Sequence, residues 1–220
     1  MIVRKWIVKY ILSLIKAEDL MEKLLNNIAA YLYGNDNYDE NTKEVIYYGL
    51  EILILKIVFW ITAALIGLFM GMFFENLIYM VFFVLLRSYA GGYHSKSRLR
   101  CFVLSTLTII LSICVHKISN IFDMVNVFLV IFGIFSFAIV FLLSPIDSKN
   151  KELDNDEVII FRKKARIILC SETILAIITY IFGLPSISKS IMLAIVTVGT
   201  LVIVGYINQK TTRIFSNKNQ

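Results

Sequence analysis

Only two prolines, two histidines and three cysteines occur in 220 residues, and charged side chains make up 17% of the chain. So little charge excludes an ordinary soluble domain, in which about a quarter of the residues are charged. Three cysteines do not build a disulfide framework. The two histidines, His94 and His116, stand a whole apolar segment apart. They do not furnish the three or four ligands that zinc takes, so neither a metal nor another cofactor is expected. What the chain has instead is apolar surface: 58% hydrophobic residues and a mean hydropathy of +0.76. The net charge of +6 does not point to nucleic acid, because the basic residues fall in loops beside apolar segments, where they set membrane orientation.

The apolar residues gather in six segments, about Ile57–Phe74, Leu77–Ala90, Phe102–Val115, Val125–Leu143, Ile167–Phe182 and Ile191–Ile207, with a reversal expected at Glu75-Asn76. The fold class that follows is an all-α integral membrane protein with about six transmembrane helices. Residues 1–45 read as a separate interfacial region and 46–220 as the membrane domain. In the first region Lys5, Lys9 and Lys16 share one helical face, with Val3, Trp6, Ile7, Tyr10, Ile11 and Leu14 opposite. That is an amphipathic helix lying on membrane lipid, and its embedded charges argue against a cleaved signal peptide. A second amphipathic stretch carries Leu20, Leu24, Leu25, Ile28, Tyr31 and Leu32. The N-terminal region, the 87–100 loop, the 144–166 loop and the C-terminal tail hold 19 of the 22 lysines and arginines. Both termini and the 87–100 loop are therefore expected on the cytoplasmic side.

Between the two shortest segments lies RSYAGGYHSKSRLRC, Arg87 to Cys101. It brings together the two residue types of an activated thiol: a sulfur that attacks a carbonyl, and an imidazole that takes its proton and returns it to a leaving group. Seven residues of unbroken helix rise roughly 10.5 Å, so the chain must bend for His94 and Cys101 to meet. Gly91-Gly92 gives that freedom, and Ser95 and Ser97 suit a turn or cap. Arg98 and Arg100 flank the cysteine with positive charge, which favours an anionic sulfur. The plain alternative is an interfacial histidine and an ordinary cysteine at a helix start. Cys114 and Cys170 lie in apolar runs and read as inert thiols. The loop from Ser144 to Arg166 begins acidic and ends in Arg162, Lys163, Lys164 and Arg166. Usually such a run is a solvated topology signal; beside the reactive loop it also suits the acidic part of a substrate.

The run Arg87-x-x-x-Gly91-Gly92-x-His94, followed seven residues later by Cys101, closely resembles the signature of the accessory gene regulator B (AgrB) family. The Pro145…Asn150-Lys151 loop and the six-span layout are similar to that family too. The resemblance implies a membrane cysteine endopeptidase of quorum sensing, acting on an AgrD-like propeptide. Cys101 would be the nucleophile, His94 the general base and acid, and Arg87 and Gly92 supporting residues. Arg98, Arg100, Arg162, Lys163 and Lys164 would meet the acidic tail of the propeptide. A homodimer is implied as well. The competing classes are a non-enzymatic multi-span transporter or scaffold, and a cysteine acyltransferase acting on lipids.

Overall fold

The computed structural model describes residues 39–92, 98–146 and 154–218, together with Lys23, Asn27 and Ile28. Among the described residues from 39 onward, six helices follow one another: α1 (Glu40–Phe69), α2 (Phe73–Ala90), α3 (Arg98–Ser119), α4 (Asp123–Leu143), α5 (Asn155–Ile181) and α6 (Pro185–Lys218). They occupy the places of the six expected apolar segments, and all except α5 are long and apolar enough to cross a membrane. α5 has the length, 27 residues, but Arg162, Lys163, Lys164 and Arg166 fill its first half and Glu172 interrupts its apolar half. The N-terminal amphipathic stretches lie, apart from three residues, outside the described residues.

Helix boundaries move outward from the apolar runs. α1 begins well before Ile57, because Lys43, Glu44, Glu51 and Lys56 break the apolar run without breaking the helix. The first reversal is at Met70-Gly71-Met72 rather than at Glu75-Asn76, which lie in the first turn of α2. Gly71, at φ +66°, supplies the left-handed step that a Glu-Asn pair takes less readily. Just past the end of α5, Gly183 also takes a positive φ, and α6 opens on Pro185, whose fixed φ suits the first helical position.

The chain divides into two units, residues 1–60 and 61–220. In the first, the described part is essentially the start of α1, with Val45, Leu53, Ile57 and Val58 exposed along it. In the second, α6 packs against α2, α3, α4 and α5. Its buried residues Ile191, Ala194, Ile195, Val198 and Val202 recur at helical spacing. Small residues let α4 and α6 approach closely. A Cβ at Gly199 would strike Ser136, and one at Gly133 would strike Met192. Exposed Leu, Ile, Val and Phe cover the outer faces, the surface a lipid solvent requires.

Candidate active site

The reactive loop leaves α2 at a pinned stem. Arg87 lies one turn before the end of α2, and the Gly91 N–H donates to its carbonyl at 3.1 Å. Gly91 and Gly92 have φ of +70° and +122°, conformations that side-chain-bearing residues rarely adopt. The Ile146 N–H donates to the Ala90 carbonyl at 3.1 Å, and Gly91 forms a parallel bridge with Ile146. A Cβ on Gly91 would collide with the Ile146 carbonyl oxygen, and one on Gly92 would lie 3.1 Å from the Leu201 carbonyl of α6. Space and backbone conformation both select glycine here.

The brace at Ile146 is itself tied down. Ser144 and Ile146 are buried, and the Ser144 N–H closes α4 on Val140. From α5, Arg162 Nε donates to the Ser144 carbonyl at 3.3 Å and Arg166 Nε to the Phe141 carbonyl at 3.1 Å. The Arg166 guanidinium also stands over the Phe141 ring at 4.4 Å. Cations at the C-terminus of α4 satisfy carbonyls that the helix leaves open and oppose its dipole. Lys164 Nζ lies 5.3 Å over the Tyr89 ring, and Tyr89 meets Phe161 at 5.7 Å between centroids. The basic start of α5 thus adjoins the end of α2.

Cys101 is half-buried and free of any disulfide, in the opening turns of α3 near the positive end of its dipole. Arg87, half-buried under the cation–π contact of its guanidinium with Phe83 at 5.7 Å, interacts electrostatically with Cys101 and Tyr79. Of the residues singled out in the sequence, Arg87, Gly92 and Cys101 gather at this end of the helical unit. Arg98 and Arg100 enter on the same helical start as Cys101. Lys163 is exposed, and Arg162 holds Ser144. His94 lies outside the described residues, between the pinned glycines and α3.

Two features escape a reading of motifs. Ile146, fifty-five residues from Gly91, carries no chemical signal; only the short Ser-Pro-Ile break after a long apolar run marks it. Glu172 is 2% exposed and neither carboxylate oxygen has a hydrogen-bond partner. A lone acid inside an apolar segment was the signal for it.

The accessory gene regulator B profile matches residues 25–207. AgrB-like protein 2 of Clostridium perfringens strain 13 is 33% identical over 215 residues, covering 90% of this chain and 99% of that protein. An AgrB-like protein of Clostridium perfringens strain SM101 is 33% identical over 221 residues, with the same coverage. A third, AgrB-like protein 1 of strain 13, is 30% identical over 166 residues, covering 74% of this chain and 84% of its own length. No solved structure matches the chain. On the extent of these matches the chain belongs to the accessory gene regulator B family, membrane proteins that take part in processing the agr quorum-sensing peptide.

Proposed function

We propose that the protein is a cysteine endopeptidase that cuts the C-terminal tail from an AgrD-like propeptide and keeps the remainder as a thioester. The Cys101 sulfur adds to the carbonyl at the tail junction while His94 takes the thiol proton. The C–N bond breaks, His94 returns the proton to the departing amine, and the acyl group stays on Cys101. A thiol or hydroxyl within the peptide then attacks the thioester carbonyl. A cyclic thiolactone or lactone forms and the Cys101 thiol is regenerated. The thioester conserves acyl energy, so no nucleotide is consumed provided water is kept from it.

The observation that carries this reading is the loop entry clamped at Gly91 and Gly92, which follows Arg87 at the end of α2 and leads to the half-buried Cys101 in the opening turns of α3. A cation at this end of α2 is suited to hold the oxyanion that forms on attack. Arg98, Arg100, Lys163 and Lys164 form the basic margin that receives the acidic tail, while Arg162 contributes through its hold on Ser144. The propeptide reaches the site along the membrane lipid, with the loop on the cytoplasmic side and the protein working as a homodimer.

Tail release from a tagged propeptide, followed in proteoliposomes, tests the mechanism. Cys101→Ala and His94→Ala are each expected to abolish release while leaving membrane insertion unchanged, because nucleophile and base act as a unit. Full activity in either variant would remove the mechanism and favour a transporter or scaffold.

A further inference from the structure

At the other end of α3, roughly 22 Å along the helix from Cys101, lies a small cleft lined by Glu75, Asn76, Tyr79, Ser112, His116 and Ser190, with apolar Met72, Ile113 and Leu193. It has room for about one water-sized group. Asn76 and His116 are each 3% exposed, yet Asn76 Oδ1 and His116 Nε2 have no hydrogen-bond partner. Buried polar atoms are rarely left so, and two on one cleft point to a ligand.

The hydrogen bonds around the cleft specify what that ligand must offer. The Asn76 amide is oriented by Nδ2, which donates to the Ala63 carbonyl at 2.8 Å, so the free atom is the acceptor Oδ1. Each hydroxyl has committed its single proton elsewhere: Tyr79 to Thr197 Oγ1, Ser112 to the Ile109 carbonyl and Ser190 to the Ser186 carbonyl. With its proton on the Ser186 carbonyl, Ser190 Oγ can accept from His116 Nδ1 at 3.5 Å, and the tautomer protonated on Nδ1 presents Nε2 as an acceptor. Glu75 adds a carboxylate that interacts electrostatically with His116. Lys189 also interacts with His116, but its ammonium is held by the Ser119 carbonyl and Asn120 Oδ1 at 3.3 and 2.8 Å. The free capacity of the wall is accepting and partly anionic.

We propose that this cleft binds a primary ammonium group. Three N–H donors on a water-sized cation match Asn76 Oδ1, His116 Nε2 and the Glu75 carboxylate, and an imidazole nitrogen suits an N–H donor better than a hard alkali cation. The cleft lies where α2 and α6 begin and α3 ends, beside the Met70–Met72 turn. That is headgroup level for helices of this length, so phosphatidylethanolamine is the expected source and a free amine the other.

The full-length protein in nanodiscs of phosphatidylethanolamine, phosphatidylcholine and phosphatidylglycerol in equal parts is released into native mass spectrometry, and the retained lipid is read. Phosphatidylethanolamine is expected to be retained about tenfold over phosphatidylcholine, the difference one or more charge-assisted hydrogen bonds make. Mono- and dimethylated headgroups should fall between them as N–H donors are lost. Glu75→Gln and His116→Phe should bring the ratio towards one, while His116→Gln, which keeps an acceptor, should retain part of it. The methyl series needs no variant, so it stands even if a substitution fails to fold. Thermal protection by free ethanolamine in lipid-free detergent, without lipid preference, would support the ammonium site and assign it to a soluble amine. Equal retention of phosphatidylcholine with no protection by free ethanolamine, protection by sodium ion alone, or undiminished preference in both Glu75→Gln and His116→Phe would overturn the proposal. None of these readouts depends on peptide cleavage.

Discussion

At Arg87 the guanidinium stands over the Phe83 ring and interacts electrostatically with Cys101. A guanidinium keeps its charge near hydrocarbon, stacks on an aromatic face and presents two parallel donors; an ammonium does none of these as well. Arg87→Lys is therefore expected to lower turnover at saturating propeptide by about tenfold or more, with little change in apparent affinity. Steady-state kinetics in nanodiscs check this, and a change confined to KM would remove Arg87 from the reacting centre. The chemistry of single residues was the most legible part of the sequence. His94 and Cys101 announce themselves by residue type, and Arg87 by standing at the end of an apolar run. Arg162 was read only as a basic residue for substrate. Its bond to Ser144, across the 147–153 segment, depends on how α4 and α5 lie together, which no local pattern encodes.

Among the elements, the strap at 144–146 and the start of α5 have separable roles. Arg162 braces the strap, whereas Lys163 and Lys164 are exposed beside the end of α2. Lys163→Glu with Lys164→Glu should raise the apparent KM for an acidic-tailed propeptide, and added salt should narrow the gap to wild type. Arg162→Ala should instead lower thermal stability, by about 0.3–1 kcal/mol for a cation lost from a helix C-terminus. A salt titration alongside a melting curve separates the two. At the stem, Gly92→Ala places a side chain at φ +122° against Leu201. Strain of roughly 1–3 kcal/mol is expected, enough to displace the loop and slow tail release by about tenfold. Tail release at the wild-type rate would show that the loop does not need this seat. Element existence was legible from apolar runs, but element ends were not. Charged residues such as Lys43, Glu44, Arg162 and Lys163 continue helices that hydropathy alone would stop, and Gly71 takes a turn that polarity had assigned to Glu75-Asn76.

For the whole molecule, an all-helical membrane fold followed from composition, since 58% hydrophobic residues with so few charges has few other solutions. The central place of α6 did not follow from it, because every apolar segment looks alike until small residues such as Gly133 and Gly199 reveal a close helix pair. Sidedness is the property of the whole that basic-residue counting predicts. A single cysteine placed at Asn120 should react with an impermeant maleimide on intact cells, and Cys101 should be spared. The reverse labelling would defeat a cytoplasmic site. The glycine pair has one more consequence, in the gene rather than the protein. Every non-silent single-base change in a glycine codon that still encodes an amino acid introduces a Cβ, and at positions 91 and 92 each such Cβ meets backbone. These two codons have no mild neighbours. Drift there is either silent or damaging, whatever latitude natural variation finds in the loop that follows.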